Sequence, residues 1–241
     1  MNPGRKQLLL RKAHRWLGVV TALQLLAWTV SGLYFTLIPI GQIRGEHLLQ
    51  DAGALRLGHT HLLPPSSIVA TNPELRQVAV DQVQIRMRGQ RVAYLVVDAD
   101  RWTAYDAESG VRLPSLVAEE AASIVRQRTH LAVKSTERVT VMPAGSEFRG
   151  MEMPAFRVSL SGEDGAQVYV GAESGQVRAV RTDQWRLFDF LWGLHIMDYE
   201  SREDFNHWLI QLLAGLSLLT VLSGVVLFIT TVRFSSSRAS S

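Results

Sequence analysis

Cysteine is absent from the 241 residues. That removes disulfides, iron–sulfur clusters, thiolate zinc sites and covalently attached c-type haem, and leaves open a non-covalent cofactor held by His or Met. Phosphate loops, dinucleotide fingerprints, GxSxG elbows and HExxH helices are also missing. No catalytic constellation is legible, so whether the chain is itself an enzyme stays open. Charge is missing from two stretches, Trp16 to Ile43 and Leu209 to Val232. Each exceeds the roughly 20 apolar residues that cross a bilayer as a helix.

Between these runs lies a polar, charge-rich stretch. The expectation is two membrane spans around one large extramembrane domain. The first apolar run is too long for the core of a signal peptide, and no small-x-small cleavage site precedes the domain, so it reads as a true span. Arg5, Lys6, Arg11, Lys12 and Arg15 precede the first span, and Arg233 and Arg238 follow the second. The positive-inside rule then puts both termini in the cytoplasm and the main domain outside, in the periplasm if the cell is Gram-negative. The domain's own charges are mixed, so the net charge of +3 reflects the tails and points to no nucleic-acid partner.

The expected division is a cytoplasmic tail over 1–15, a span over 16–43 and an outer domain over 44–182. An interfacial amphipathic segment over 183–201, a second span over 202–232 and a tail over 233–241 follow. Inside the outer domain two stretches echo each other: "YDAESGVRL" from Tyr105 and "VGAESGQVRAV" from Val170. Upstream, "SSIVA" from Ser66 and "ASIVR" from Ala122 form a second pair, so two repeats of about 62–114 and 115–182 are expected, the second with a short insertion. Val117, Ala121, Ile124 and Val125 have helical spacing. Val83, Ile85 and Met87 alternate inward as a strand, as do Phe156, Val158 and Leu160. The fold class is therefore α+β, two helix-plus-antiparallel-sheet repeats between two membrane helices.

Two repeats with Ala-Glu-Ser-Gly turns resemble tandem PepSY domains. "RKAHRWLG", opening the first span, and "LH" ahead of a span carrying "LSG" resemble the PepSY-associated transmembrane family. Larger members of that family include ferrisiderophore reductases of the bacterial inner membrane, with four spans and b-type haem. The resemblance implies electron transfer or iron reduction in that membrane, with this two-span chain as a haem b-binding or accessory subunit. It implies other membrane subunits or a homodimer as partners, and a ferric ligand or periplasmic protein at the outer domain. The rival reading is a non-catalytic, membrane-anchored interaction module.

His14, His195 and His207 are the candidate haem ligands. His14, Gly18, Thr21, Leu25, Trp28 and Gly32 share one helical face, and so do His207, Ile210, Ala214, Ser217, Val221 and Gly224. Small residues on such faces let helices, or a flat macrocycle, approach closely. His14 lies at the opposite end of the span from His207, so the two cannot share one haem in a simple hairpin. His195 and His207 within one chain, His14 with its mate across a two-fold dimer, or His195 or His207 paired across that dimer remain open. "TVSG" from Thr29 and "TVLSG" from Thr220 read as helix-packing motifs.

Ser201 with Asp204 resembles a capping box, which would start the second span near Arg202 and set His207 in its second turn. Trp185, Phe188, Trp192 and Trp208 read as an interfacial aromatic belt. A weaker metal site combines His59 and His61, two apart in extended chain, with the thioethers of Met151 and Met153 near Met142.

Overall fold

The computed structural model describes residues 3–51, 61–79, 82–98, 101–143, 145–162 and 165–238. In chain order the elements are α1 (Pro3–Leu37), α2 (Ile40–Ile43), α3 (Pro65–Thr71), β1 (Val83–Arg88), β2 (Arg91–Asp98), β3 (Arg101–Asp106) and α4 (Ala118–Arg126). Then come β4 (Val133–Val139), β5 (Ala155–Leu160), β6 (Gln167–Gly171), β7 (Val177–Arg181), α5 (Asp183–Ile196) and α6 (Trp208–Arg238). They form two compact units: Met1–Ile38 with Asp189–Ser241, and Pro39–Phe188. The fold is mixed α+β, with antiparallel sheets and two helices long and apolar enough to cross a membrane, Gln7–Leu37 and Trp208–Thr231.

The first unit is a helix pair. Residues His14, Leu17, Thr21, Gln24, Trp28, Ser31 and Phe35 of α1 alternate at three and four residues, and all are at least partly buried. On α6 the same alternation runs through Leu213, Leu216, Thr220, Ser223 and Leu227. Such a seam belongs to two helices packed at the shallow angle of a left-handed coil. It differs from the expected faces: Leu25 on α1 and Val221 on α6 point outward, 40% and 59% exposed. The true stripe is rotated because Leu17, Gln24 and Ser31 lead it rather than the glycines.

Both span boundaries also move. Helix α1 ends at Leu37, because Pro39 lacks a donor and disfavours helix in the residue before it. Ile40–Ile43 is a separate short helix whose Ile43 is buried in the second unit. Helix α6 starts at Trp208, not near Arg202.

The second unit contains the repeat. Strands β1-β2-β3 form one antiparallel meander and β4-β5-β6-β7 another. Each is preceded by a helix, α3 or α4, and each carries its Ala-Glu-Ser-Gly turn just after the third strand. Helix α4 packs Ala121, Ile124 and Val125 against Phe156, Val158 and Leu160, while Ile68 and Leu75 cover Tyr94, Val96 and Tyr105 in the first module. The insertion is the long β4–β5 connection, where the first module has only Gly89 and Gln90 between β1 and β2. Two expected core residues face out. Val117 is the residue before α4, and Met87 lies near the end of β1, where Arg88 turns inward instead.

Arg88 joins the two modules. Its Nε donates to the Glu173 carbonyl at 2.7 Å, and Nη2 donates to the Pro114 carbonyl at 2.5 Å. Burial lowers its pKa, against the opposing pull of Glu173, Glu120 and Glu152. A side chain at Gly175 would run into it: the added Cβ would sit 2.8 Å from Arg88 Cγ, and the backbone there is left-handed at φ +66°. Glycine satisfies both demands.

The two turns are held by carboxylates from different places. In the first, Asp106 accepts from the backbone of Glu108 and Ser109, at 3.0 and 2.9 Å, and from the Ser109 hydroxyl. Burial would raise the Asp106 pKa, but these hydrogen bonds outweigh it and hold the carboxyl low. In the second, that position is Gly171, and the acid comes from the insertion. Glu152 is buried and accepts from the backbone of Glu173 and Ser174, at 3.2 and 2.9 Å, and from the Ser174 hydroxyl at 2.5 Å. The glycine is what leaves room for the Glu152 carboxylate.

Glu152→Ala is therefore expected to cost about 2 kcal/mol, since it orphans the buried Ser174 N–H and the partly buried Glu173 N–H. Adding Gly171→Asp to that variant should recover part of the loss, by copying the first turn. Urea denaturation followed by tryptophan fluorescence checks both, and a double variant no more stable than the single one contradicts the equivalence.

Candidate functional site

The helix unit holds all three candidate histidines, and their ring nitrogens are bound in a definite pattern. His14 Nδ1 lies 2.7 Å from Ser223 Oγ on α6. His195 Nδ1, near the end of α5, lies 2.7 Å from Ser31 Oγ on α1. Each serine is followed by a glycine that faces the same ring. A Cβ at Gly224 would be 3.1 Å from His14 Cε1, and one at Gly32 would be 3.9 Å from His195 Cε1. The Ser-Gly pairs of "TVSG" and "TVLSG" are thus seats for imidazoles as well as packing positions.

The serines also fix the tautomer. Ser223 Oγ lies 2.8 Å from the Thr220 carbonyl, and Ser31 Oγ lies 2.7 Å from the Ala27 carbonyl. A carbonyl can only accept, so each hydroxyl gives its one proton to its own helix. The remaining partner must then donate. With the hydroxyls donating to their own helices, Nδ1 of His14 and of His195 is the donor, and Nε2 of each has no partner among the described residues. This is the arrangement in which an imidazole presents Nε2 to a metal while its other nitrogen is anchored. Burial lowers the His195 pKa, which favours the neutral ring.

His195 is held further by α1. Trp28 Nε1 donates to its carbonyl at 2.7 Å, and Phe35 meets the ring edge-on at 5.5 Å. Trp192 packs on Phe35 at 6.0 Å and on Phe205 at 5.6 Å, which extends the aromatic wall. His207 shows the opposite tautomer. Its Nε2 donates to the Ile196 carbonyl at 2.9 Å, so Nδ1 is the free nitrogen. The structure therefore brings His207 to the residue next to His195. His14 is distant from both: from His14 to Ser31 is 17 residues of helix, roughly 25 Å.

The loop before α6 is organised by Asp198. Its carboxylate accepts from the backbone of Glu200, Ser201, Glu203 and Asp204, at 3.0–3.1 Å, and from the Ser201 hydroxyl. Burial would raise its pKa; the bonds from Ser201, Asp204 and Glu203 outweigh that and hold it well below the usual carboxylate range. This corrects the expected capping box: Ser201 and Asp204 both donate to Asp198, and His207 precedes the helix rather than sitting in its second turn. Met197 ends α5 in the left-handed region at φ 58°, and Arg202, at φ 59°, turns back to pair with buried Asp189. A non-glycine left-handed residue costs of order 1 kcal/mol, so the strain beside His195 marks the turn as built for its place.

Of the expected aromatic belt, Trp208 is exposed, but Trp185 is buried in the other unit beneath the Arg181 guanidinium, 4.0 Å from its ring centroid. Exposed Leu187 and Phe190 carry the apolar face of α5 instead. In the weaker metal site, His59 lies outside the described residues and His61 is exposed. Met142, Met151 and Met153 pack against Phe148, Ala155, Tyr169 and Ala179, where flexible thioethers fill a core edge. Among the described residues no three His, Asp or Glu side chains gather as a metal group. Comparison with family models, curated proteins and solved structures finds no match for the chain.

The seats make a graded packing prediction. Gly224→Val should drive the His14 ring from its place and destabilise the helix pair by about 1–3 kcal/mol. Gly215→Val, where an added Cβ meets nothing within 4 Å, should change it by less than about 0.5 kcal/mol. Unfolding in mixed detergent micelles, followed by circular dichroism, measures both; equal effects contradict the seat.

Proposed function

We propose that the chain is a membrane-embedded electron-transfer subunit that binds haem b through His14 and His195. The reading rests on one observation: two imidazoles, each with Nδ1 2.7 Å from a serine hydroxyl and Nε2 without a partner among the described residues. The donor set fits haem iron, which takes neutral imidazole nitrogen axially. Gln24 Nε2 and Ser217 Oγ, buried in the helix pair, have no hydrogen-bond partner among the described residues. Such orphans cost about 1–3 kcal/mol each and leave the seam with unused polar capacity.

A bound haem would supply reversible one-electron transfer. The chain's own work is to hold the ring nitrogens in one tautomer, to fix their orientation through Ser31 and Ser223, and to keep water from His195 with Trp28, Phe35 and Trp192. One chain offers one imidazole at each end, so His14 and His195 would hold the group together with residues of a second copy, or at the outer end with His207. Levels roughly 25 Å apart at opposite ends of one helix suit electron movement across a bilayer. Exposed Arg5, Arg11, Lys12 and Arg15 support a cytoplasmic amino terminus and a bacterial inner membrane, with the sheet unit in the periplasm. The Ala-Glu-Ser-Gly turns and the "LH" and "LSG" positions support kinship with PepSY-type membrane proteins that reduce ferric ligands.

The reduced-minus-oxidised optical spectrum of detergent-purified protein from haem-replete cells tests this. The expected result is sharp Soret and α bands of b-type haem, with His14→Ala and His195→Ala each removing part of the signal. A featureless spectrum overturns the haem reading in favour of a membrane-anchored interaction module.

A further inference from the structure

The helix pair is cationic at one end, and nothing in either helix balances that charge. Arg5, Lys6, Arg11, Lys12 and Arg15 lie on α1, and Arg233 and Arg238 lie on α6. The sequence has no Asp or Glu before Glu46 and none after Asp204, so neither helix supplies a counter-charge. Arg11, Lys12 and Arg15 are exposed, and none has a hydrogen-bond or ion-pair partner among the described residues. They also sit deep along the pair. They flank His14 within one helical turn, and His14 meets Ser223 of antiparallel α6 at 2.7 Å. The first charge on α6, Arg233, comes ten residues after Ser223, about 15 Å along the helix. Beside these cations α6 is still uncharged, which places them at the boundary of the apolar layer.

The same cations share a face with an aliphatic stripe. Lys12, Arg15, Val19, Leu23 and Leu26 follow one another at steps of three or four residues, with Arg11 beside Lys12, and all are exposed. That spacing puts them on one side of α1, opposite the seam through His14, Thr21 and Trp28. Val19, Leu23 and Leu26 are 56%, 75% and 61% exposed. A cationic head therefore continues directly into an apolar stripe, the order complementary to a phosphate followed by an acyl chain.

We propose that this face of α1 binds an acidic phospholipid of the cytoplasmic leaflet, its phosphate held by Arg11, Lys12 and Arg15 and an acyl chain lying along Val19, Leu23 and Leu26. Basic residues at a membrane surface attract acidic lipid, and a guanidinium fork binds phosphate oxygens in pairs. A second copy packed here in the same orientation would bring the same cations and no acids. A free phosphate would leave the aliphatic stripe uncovered. Charge and shape together favour the lipid. The proposal rests on the reading of α1 and α6 as membrane helices and is independent of haem.

The test is electron paramagnetic resonance of the full chain in phosphatidylcholine vesicles carrying a trace of spin-labelled phosphatidylglycerol or phosphatidylcholine. The motionally restricted fraction reports lipid held at the protein surface. Phosphatidylglycerol is expected to associate at least roughly threefold more strongly than phosphatidylcholine, with the preference weakened by salt. Replacing Arg11→Gln, Lys12→Gln and Arg15→Gln together should abolish the preference. Arg5→Gln with Arg238→Gln, which removes cations away from this face, should keep most of it. Circular dichroism checks that both variants retain their helices. Equal restriction of the two lipids by the unaltered chain, or equal loss in both variants, would overturn the proposal. Displacement of the labelled lipid by millimolar glycerol phosphate would reduce the face to an anion site and overturn it as well. A chain that did not enter vesicles at all would overturn the membrane reading itself, and this proposal with it.

Discussion

The helix unit depends on where two hydroxyl protons go. Ser31 and Ser223 each turn theirs back to their own helix, to carbonyls 2.7 and 2.8 Å away. In that arrangement the imidazole across the interface is the donor. The consequence reaches beyond one hydrogen bond: it sets the tautomer, the ring orientation and the identity of the free nitrogen. With hydroxyls free to donate across the interface, either tautomer would satisfy the same 2.7 Å contacts, and neither nitrogen would be reserved. The glycine after each serine completes the arrangement by letting the ring lie against the helix surface.

The sheet unit uses acceptors in a related way. Asp106, Glu152 and, in the loop before α6, Asp198 each collect several backbone donors around one carboxylate. At Asp106 and Asp198 the converging donors stabilise the ionised form. The second turn shows how a repeat diverges without losing its geometry. The carboxylate has moved from the position before the alanine to the insertion, and Gly171 has given up its side chain to make room. Arg88 then ties this turn to the first module. The repeat in the sequence thus corresponds to a repeat in three dimensions, linked through buried polar contacts as well as apolar packing.

Much of this was legible in the residues. The two charge-free runs, the Ala-Glu-Ser-Gly pair and the β-alternation of Phe156, Val158 and Leu160 correspond directly to helices, turns and a strand. Boundaries were less legible. The end of α1 at Leu37 follows from Pro39, a signal present in the sequence but outweighed by the continuing apolar run. The start of α6 was misplaced because Asp198, a carboxylate without cap spacing, gathers the donors that Ser201 and Asp204 were expected to satisfy between themselves. The packed faces were less legible too, since Leu17, Gln24 and Ser31, not the glycines, line the seam. The histidines were visible as candidates; their serines were not. The usable signal was the recurrence of Ser-Gly on both spans with a histidine near each far end, a long-range relation that local periodicity does not encode.

The central claim is a statement about protons, so the most direct measurement is the side-chain nitrogen NMR spectrum of histidine-labelled protein in detergent or bicelles at neutral pH, without added haem. The account predicts Nδ1–H, Nε2-unprotonated rings for His14 and His195 and the reverse for His207, with Ser31→Ala and Ser223→Ala releasing His195 and His14 respectively into tautomer mixtures. Finding His14 and His195 protonated at Nε2, or indifferent to their serines, would contradict it.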